Sequence, residues 1–269
     1  MNETLKRSIS GAVYIALLLF SILYSTESFL VLFGIFLLIT VSEFCNLIHL
    51  EKTFPLLFSG GIYLLFCIVD FSKINDILLL IVTLVISIKC ILFLFDDRTS
   101  NVDNQSKFVY LIGYVILPFI IITKIPFNNG IYNPKIVISV FILIWINDTF
   151  AYLVGKSIGK TKLLEKISPK KTIEGLLGGI VFAIIVSVII SQYYIKEPAF
   201  KWVITALLVG GFGTIGDLIE SKFKRVANVK DSGTIMPGHG VILDRLDSVI
   251  FVAPYIYLFY QILNYVTLS

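Results

Sequence analysis

Long runs of hydrophobic residues, separated by short polar breaks, recur along the whole chain. A bilayer core needs roughly 20 apolar residues per helix, and on this scale the pattern predicts nine membrane spans. Backbone in lipid must satisfy its own hydrogen bonds, so each span is predicted to be an α-helix. The predicted spans are approximately 8–24, 29–49, 54–71, 76–95, 108–124, 136–155, 172–195, 201–220 and 241–266.

The amino-acid composition separates this chain from soluble proteins. Hydrophobic residues make up 57% of the 269 residues and charged residues 15%, and the mean hydropathy is +0.92. A water-facing surface cannot be built from such a composition, so the sequence predicts an all-α polytopic integral membrane protein. No polar stretch leaves room for a separate soluble domain. We therefore expect one membrane domain, with a helical scaffold over 1–135 and the functional site over 136–269.

The basic residues collect in the connections on one side of the predicted spans. If the N-terminus is cytoplasmic, 15 Lys and Arg residues fall on the cytoplasmic side and 5 on the other. The positive-inside rule therefore predicts a cytoplasmic N-terminus, with the loops 156–171 and 221–240 facing the cytoplasm. This topology explains the net charge of +4, and we expect no nucleic-acid partner.

Two of the first four spans each contain an ionisable side chain at membrane depth, Glu43 and Lys89. Such groups are costly in hydrocarbon unless they pair or line a polar cavity. Structural pairing across helices is the favoured interpretation, and a functional role is the alternative.

The polar residues of the later spans form a different pattern. Asn147 and Asp148 lie near the end of the sixth span, Asp217 near the end of the eighth, and Asp244 and Asp247 in the last. A charged side chain at the centre of a membrane helix costs about 2.5–3.5 kcal/mol on insertion scales, so these residues are functional-site candidates.

The segment before the seventh span is rich in basic residues. Ser168 can cap the following helix with Pro169 at its first position, which puts Lys170 and Lys171 at the positive end of the helix dipole. Two cations there are unfavourable by themselves. A bound phosphate would resolve the conflict, because it would meet both lysines and the backbone N–H groups. Inside-positive topology alone is the alternative explanation.

The last predicted span carries two carboxylates on one helix face, since Asp244 and Asp247 are three residues apart. Together with Asp217 they form an oxygen-rich set that suits Mg²⁺, which prefers one or two carboxylates plus phosphates and water. Arg245 and the lysine-rich loops would then bind the phosphates.

Four short motifs follow one another toward the C-terminus: SKFKR at 221–225, KDSG at 230–233, PGHG at 237–240 and DRLDS at 244–248. With the upstream segments NDTFAYLVGK and SPKKTIEG, they resemble the signature of the phosphatidate cytidylyltransferase (CDP-diacylglycerol synthase) family over about the C-terminal half of the chain. The resemblance implies transfer of CMP from CTP to phosphatidic acid, giving CDP-diacylglycerol and pyrophosphate, with K⁺ accompanying Mg²⁺. Two positions depart from the family pattern: Met236 stands where Leu, Ile or Phe is usual, and Val241 where a glycine is usual.

The charge pattern and the resemblance together suggest roles for individual residues. We expect Asp217, Asp244 and Asp247 to bind metal, and Asp231 to lie near the nucleotide or a second ion. Lys230 and Arg245 complete the catalytic candidates. The substrate-binding candidates are Ser168, Lys170, Lys171, Ser221, Lys224, Arg225, His239, Asn147 and Asp148. No side-chain nucleophile is needed, because the lipid phosphate itself attacks the nucleotide.

Three other functions remain open at this point. A related CTP-dependent lipid enzyme, of the polyprenol kinase or CDP-archaeol synthase type, would use the same metal and nucleotide chemistry. A membrane transporter could use intramembrane charges as an ion pathway, and a catalytically silent relative is the third alternative. We expect a bacterial inner-membrane protein whose active site faces the cytoplasm; the sequence leaves a homodimer open.

Overall fold

The computed structural model describes residues 3–69, 73–96, 102–128, 130–230 and 241–268 of the chain. Nine continuous helices occur in these ranges, and their bounds follow the hydrophobic runs. They are α1 Glu3–Tyr24, α2 Thr26–Leu47, α3 Thr53–Ile68, α4 Lys73–Phe95, α5 Asn104–Lys124, α6 Pro134–Ile158, α7 Ile173–Ile195, α8 Ala199–Val226 and α9 Leu243–Leu268.

Seven of these helices are long and apolar enough to cross a membrane, and α3 and the Ile9–Tyr24 part of α1 are shorter apolar helices. Each of the nine predicted spans overlaps one helix, which confirms the all-α polytopic prediction. The cytoplasmic orientation of the N-terminus stays a prediction. The main difference in bounds is at α8, which continues to Val226, because the polar segment after the predicted end at 220 is also helical.

Two small antiparallel hairpins interrupt the helical pattern in the part of the chain that the structure describes. Strands β1 (Phe127–Asn128) and β2 (Ile131–Tyr132) form the first, between α5 and α6. Strands β3 (Lys162–Leu164) and β4 (Ser168–Thr172) form the second, between α6 and α7. The second hairpin is held by Glu174, whose carboxylate accepts hydrogen bonds from the backbone N–H groups of Lys160 at 3.0 Å and Thr161 at 3.1 Å.

Three helices contain a π-helical turn that the sequence pattern does not predict. These turns are Leu111–Ile116 in α5, Ile190–Ile195 in α7 and Val209–Gly213 in α8. Single π-helical turns inside α-helices occur frequently at functional sites. The turn in α8 immediately precedes the segment Thr214–Val226, which carries Asp217.

The helices pack into two compact units, each built from two separate stretches of the chain. Unit 1 consists of Met1–Lys124 and Phe223–Leu246, and its core includes the fully buried Phe29, Phe33 and Leu37 of α2. Unit 2 consists of Ile125–Lys222 and Asp247–Ser269, and its core includes the fully buried Trp202. In unit 2 the indole N–H of Trp202 donates to Glu197 at 2.9 Å.

Candidate functional site

Asp217 forms an ion pair with Lys171 in unit 2. The Lys171 Nζ lies 2.5 Å from the Asp217 Oδ2, and the hydroxyl of Ser221, one turn further along α8, donates to the Asp217 Oδ1 at 3.3 Å. The Lys171 and Asp217 side chains are 27% and 38% exposed, respectively. The aspartate therefore has a fixed orientation and remains accessible to a ligand.

Asp247 approaches the same region because α8 and α9 come close at Gly216. A Cβ atom at Gly216 would lie 2.6 Å from the Cβ of Phe251 and 2.7 Å from the carbonyl oxygen of Asp247. Glycine is therefore required at the position directly before Asp217. The Asp247 carboxylate is buried and accepts a hydrogen bond from the Ser248 N–H at 2.6 Å.

Helix α6 contributes two further polar side chains near Asp217 and Asp247, those of Asn147 and Asp148. The Asn147 side-chain amide is buried and donates to the Asp148 Oδ1 at 3.2 Å. A Cβ at Gly179 would lie 2.8 Å from the Asn147 Oδ1, and one at Gly210 would lie 3.2 Å from it. Within the described part of the chain this amide oxygen has no hydrogen-bond partner. It can therefore accept a hydrogen bond from a bound ligand or a water molecule.

The three aspartates of this group interact electrostatically with one another and with one lysine. Asp148 and Asp247 both interact with Asp217 and Lys171, and Asp247 interacts with Asp148 as well. If all three carboxylates are ionised, one lysine leaves an excess of two negative charges. Like charges that interact in this way are unfavourable unless a cation offsets them. We name Asp148, Lys171, Asp217 and Asp247 the acidic cluster.

The acidic cluster fits a divalent cation that takes only part of its coordination from protein. Among the described residues, no three His, Cys, Asp or Glu side chains are close enough together to bind an ion by themselves. Mg²⁺ normally uses one or two carboxylates and completes its octahedron with water and substrate phosphates. The donor set of Asp217 and Asp247 matches that preference and does not match an all-protein metal cage.

The basic segment before α7 differs from its predicted structure. Ser168 does not cap a helix, because Ser168–Thr172 forms strand β4 and α7 begins at Ile173. Thr172 is the N-cap, and its hydroxyl accepts the Gly175 N–H at 3.1 Å. Lys170 is exposed on the hairpin, whereas Lys171 belongs to the acidic cluster. The two adjacent lysines therefore differ in their surroundings: of the two, Lys171 is the one paired with a predicted metal ligand.

A second ion pair lies in unit 1, between Lys224 and Asp244. The Lys224 Nζ is 3.0 Å from the Asp244 Oδ1, and the two side chains are 11% and 24% exposed.

The other predicted basic residues near this ion pair lie at the ends of α8 and α9. Arg225 is exposed near the end of α8, Lys230 is exposed just after it, and Arg245 follows Asp244 in α9. Asp231 and His239, the remaining predicted site residues, lie outside the described residues.

The sequence did not indicate the partner of Glu43, which is 1% exposed. Its two carboxylate oxygens accept hydrogen bonds from the backbone N–H groups of Ile242, at 3.0 Å, and Leu243, at 2.8 Å. Structural pairing across helices was the favoured interpretation, and Glu43 does bond to another helix, but its partner is the backbone at the start of α9. Lys89 instead donates to the Ser106 hydroxyl at 3.4 Å and lies over the Tyr110 ring. A carboxylate at membrane depth was the available signal, but the sequence does not indicate which backbone it meets.

Val241, which stands where the family pattern has a glycine, is buried and does not have a positive φ angle. Only 1% of its surface is exposed. Within the described ranges, the non-glycine residues with a positive φ angle are His49, Lys196 and Asn228. The valine at this position therefore requires no left-handed backbone.

The structure thus describes a polytopic α-helical membrane protein with an acidic cluster and a set of basic side chains close to it in sequence. A family model described as the cytidylyltransferase family matches residues 5–263. The chain therefore belongs to the cytidylyltransferase family.

Curated relatives share a segment of this chain at high identity. The phosphatidate cytidylyltransferase of Bacillus subtilis (strain 168) is 49% identical over 117 residues, which are 43% of this chain and 44% of that protein. The phosphatidate cytidylyltransferase of Staphylococcus aureus (strain COL) is 48% identical over 120 residues, 44% of this chain and 46% of that protein. The phosphatidate cytidylyltransferase of Staphylococcus epidermidis (strain ATCC 12228) is 45% identical over 122 residues, 45% of this chain and 46% of that protein. The chain thus spans a little under half the length of these relatives.

Proposed function

We propose that the protein transfers CMP from CTP to phosphatidic acid, producing CDP-diacylglycerol and pyrophosphate. The observation that carries this proposal is the acidic cluster, in which three aspartates share a single lysine partner. Family membership and the names of the relatives support CTP and phosphatidic acid as the proposed substrates. If all three carboxylates are ionised, the excess negative charge suits a divalent cation, and a bound divalent cation can in turn bind nucleotide phosphates.

The chemistry joins two anions, so its first requirement is charge compensation. An oxygen of the lipid phosphate attacks the α-phosphorus of CTP, forming a new P–O bond. The bond between the α-phosphorus and the oxygen bridging to the β-phosphate breaks, and pyrophosphate leaves with that electron pair. Holding two such reactants in line lowers the entropic part of the barrier.

Several residues of this chain can position and neutralise the phosphates. Lys171 lies beside Asp217 and is partly exposed, so it can shift toward an incoming phosphate while remaining near the carboxylate. Lys224 and Arg245 are candidates for further phosphate contacts, as are the exposed Lys170, Arg225 and Lys230. The Asn147 oxygen can accept a hydrogen bond from water or from a substrate hydroxyl or amino group.

Asp217 and Asp247 would bind Mg²⁺, and Asp244 is the third ligand predicted from the sequence. A bound Mg²⁺ would neutralise phosphate charge and polarise the α-phosphoryl group. K⁺ is proposed as the accompanying ion on the family resemblance alone. The bilayer supplies the lipid, and we propose a bacterial inner membrane with the site open to cytoplasmic CTP.

The direct test uses the full chain, purified in detergent, with labelled CTP, phosphatidic acid and Mg²⁺. We expect lipid-dependent formation of CDP-diacylglycerol and pyrophosphate, which stops when EDTA removes the metal. Asp217→Asn should abolish product formation. Asp76→Asn is the matched control, because Asp76 is also an ion-paired aspartate, bonded to Lys124 at 2.7 Å, but belongs to no predicted site.

Three outcomes would contradict the proposal. Product from a polyprenol or an archaeal lipid acceptor, with none from phosphatidic acid, would assign a different CTP-dependent enzyme. Solute transport without CTP turnover in sealed vesicles would assign a transporter. Equal losses in Asp217→Asn and Asp76→Asn would remove the acidic cluster from the mechanism.

Light scattering of the same sample decides between a monomer and a homodimer.

A further inference from the structure

We propose that the adjacent residues Glu43 and Phe44 of α2 are positioning residues that hold both ends of the connection between α8 and α9. We name this pair the α2 clamp. In this proposal the α2 clamp acts through Lys224 and Asp244, which lie at the two ends that it holds. All of these residues belong to unit 1.

Glu43 holds the start of α9. The first N–H groups of a helix have no partner within the helix, and here the Ile242 and Leu243 N–H groups both donate to the Glu43 carboxylate, at 3.0 and 2.8 Å. A negative charge at this end is also stabilised by the helix dipole. Both oxygens of a fully buried carboxylate are thus directed at one backbone segment, and the next residue along α9 is Asp244.

Phe44 holds the end of α8. Its ring meets the Phe223 ring edge to face, with centroids 5.0 Å apart and planes at 85°. Phe223 is fully buried and is also contacted by Phe93, Tyr110 and Tyr114. The residue after Phe223 is Lys224, whose ammonium group reaches Asp244 at 3.0 Å.

Consecutive residues of one helix therefore hold the two helix ends that the Lys224–Asp244 ion pair joins. A long connection between two helices costs loop-closure entropy and does not by itself define how its ends are placed. The α2 clamp fixes the positions of both ends, one through the hydrogen bonds of Glu43 and the other through the ring contact of Phe44. A misplacement of about 1 Å at reacting groups can cost about 100-fold in rate, so a residue without substrate contact can still have a large effect on turnover.

The test is the substitution Glu43→Gln in the full-length protein, and its kinetic part rests on the proposed cytidylyltransferase function. Glutamine keeps the shape but has one acceptor oxygen, and its NH₂ group would face the second N–H donor. Thr40→Val is the matched control. Thr40 is fully buried on the same helix three residues earlier, and in the described part of the chain its hydroxyl has no hydrogen-bond partner.

Two measurements are made on each variant at a temperature well below its thermal midpoint. The first is kcat with CTP and phosphatidic acid, where we expect a loss of about 10- to 100-fold for Glu43→Gln and less than about twofold for Thr40→Val. The second is amide hydrogen exchange, which does not depend on activity. We expect faster exchange in Glu43→Gln, confined to the peptide that begins at Val241, and unchanged exchange in Thr40→Val.

The outcomes separate this proposal from the proposed function. If the wild-type protein forms no CDP-diacylglycerol, the proposed function fails and the exchange comparison alone decides the clamp. Exchange at Ile242 and Leu243 that is unchanged by Glu43→Gln would overturn the clamp, whatever the activity. Faster exchange with normal kcat, or equal kcat losses in both variants, would also overturn it, because the effect would then be purely structural.

Discussion

Helix α3, in unit 1, and the part of α8 that lies in unit 2 both contain glycines, but the surroundings of these glycines differ. A Cβ at Gly61 of α3 would meet no atom within 4 Å, whereas one at Gly216 of α8 would overlap Phe251 and the Asp247 backbone. Helix α3 also carries strongly exposed apolar side chains, such as Leu57 at 74% and Ile68 at 77%. Exposed apolar side chains suit contact with lipid, and the close helix approach at Gly216 places charged groups together.

The difference between the two helices indicates where precision is needed in this protein. A lipid-facing helix requires length and hydrophobicity, which many sequences provide. A site built from carboxylates on two helices requires a defined backbone separation, which small residues permit. Substitutions of the same chemical type should therefore have unequal effects in the two regions.

The largest effect is expected for Asp247→Asn. Removing this buried carboxylate from the acidic cluster should lower kcat about 100- to 1,000-fold, as found for the loss of a preorganised electrostatic group in other enzymes. Reaction rates should be measured over a range of Mg²⁺ concentrations, since loss of the proposed ligand Asp247 would also raise the Mg²⁺ requirement. An unchanged Mg²⁺ dependence would exclude Asp247 as a ligand.

An intermediate effect is expected for Gly216→Ala, and Gly61→Ala is its matched control. Overpacking typically destabilises by about 1–3 kcal/mol, and at Gly216 it would also move Asp247 relative to Asp217, so we expect a lower thermal midpoint and a kcat reduced about tenfold or more. Gly61→Ala should be neutral in activity and neutral or slightly stabilising, since alanine is the better helix former. Thermal unfolding in detergent and the CTP assay check both variants; similar behaviour of the two would refute the proposed difference between α3 and α8.

The smallest effects are expected for substitutions of Lys171 and Lys124, the lysines of two of the ion pairs. Lys171→Gln should reduce kcat/KM for CTP about tenfold, because charged hydrogen bonds to phosphate contribute about 1.5–3 kcal/mol. Lys124→Gln removes the comparable pair with Asp76 in unit 1 and should change stability by less than about 1 kcal/mol, with normal kinetics. Equal KM values for CTP in both variants would contradict a phosphate-binding role for Lys171.

The sequence alone determined the features that depend on local patterns. Hydrophobic runs predicted the nine helices of the described ranges, seven of which are long and apolar enough to cross a membrane, because a helix in lipid needs little more than about 20 apolar residues. Charged residues inside those runs identified Asp148, Asp217 and Asp247 as candidates, because unpaired charge is costly there. The motif order identified the family, which the match over residues 5–263 then confirmed.

Only the tertiary structure decided which groups meet. It replaced the predicted Ser168 cap with strand β4 and a Thr172 cap, because pairing with Lys162–Leu164 satisfies the backbone of Ser168–Thr172 before the helix begins. It also showed that Lys171 forms an ion pair with Asp217, whereas Lys170 is exposed. The contact of Glu43 with Leu243 joins residues 200 positions apart. Helical period and hydrophobicity act over a few turns of chain, so they determine where helices form, whereas partners this distant are chosen by the packing of the folded protein.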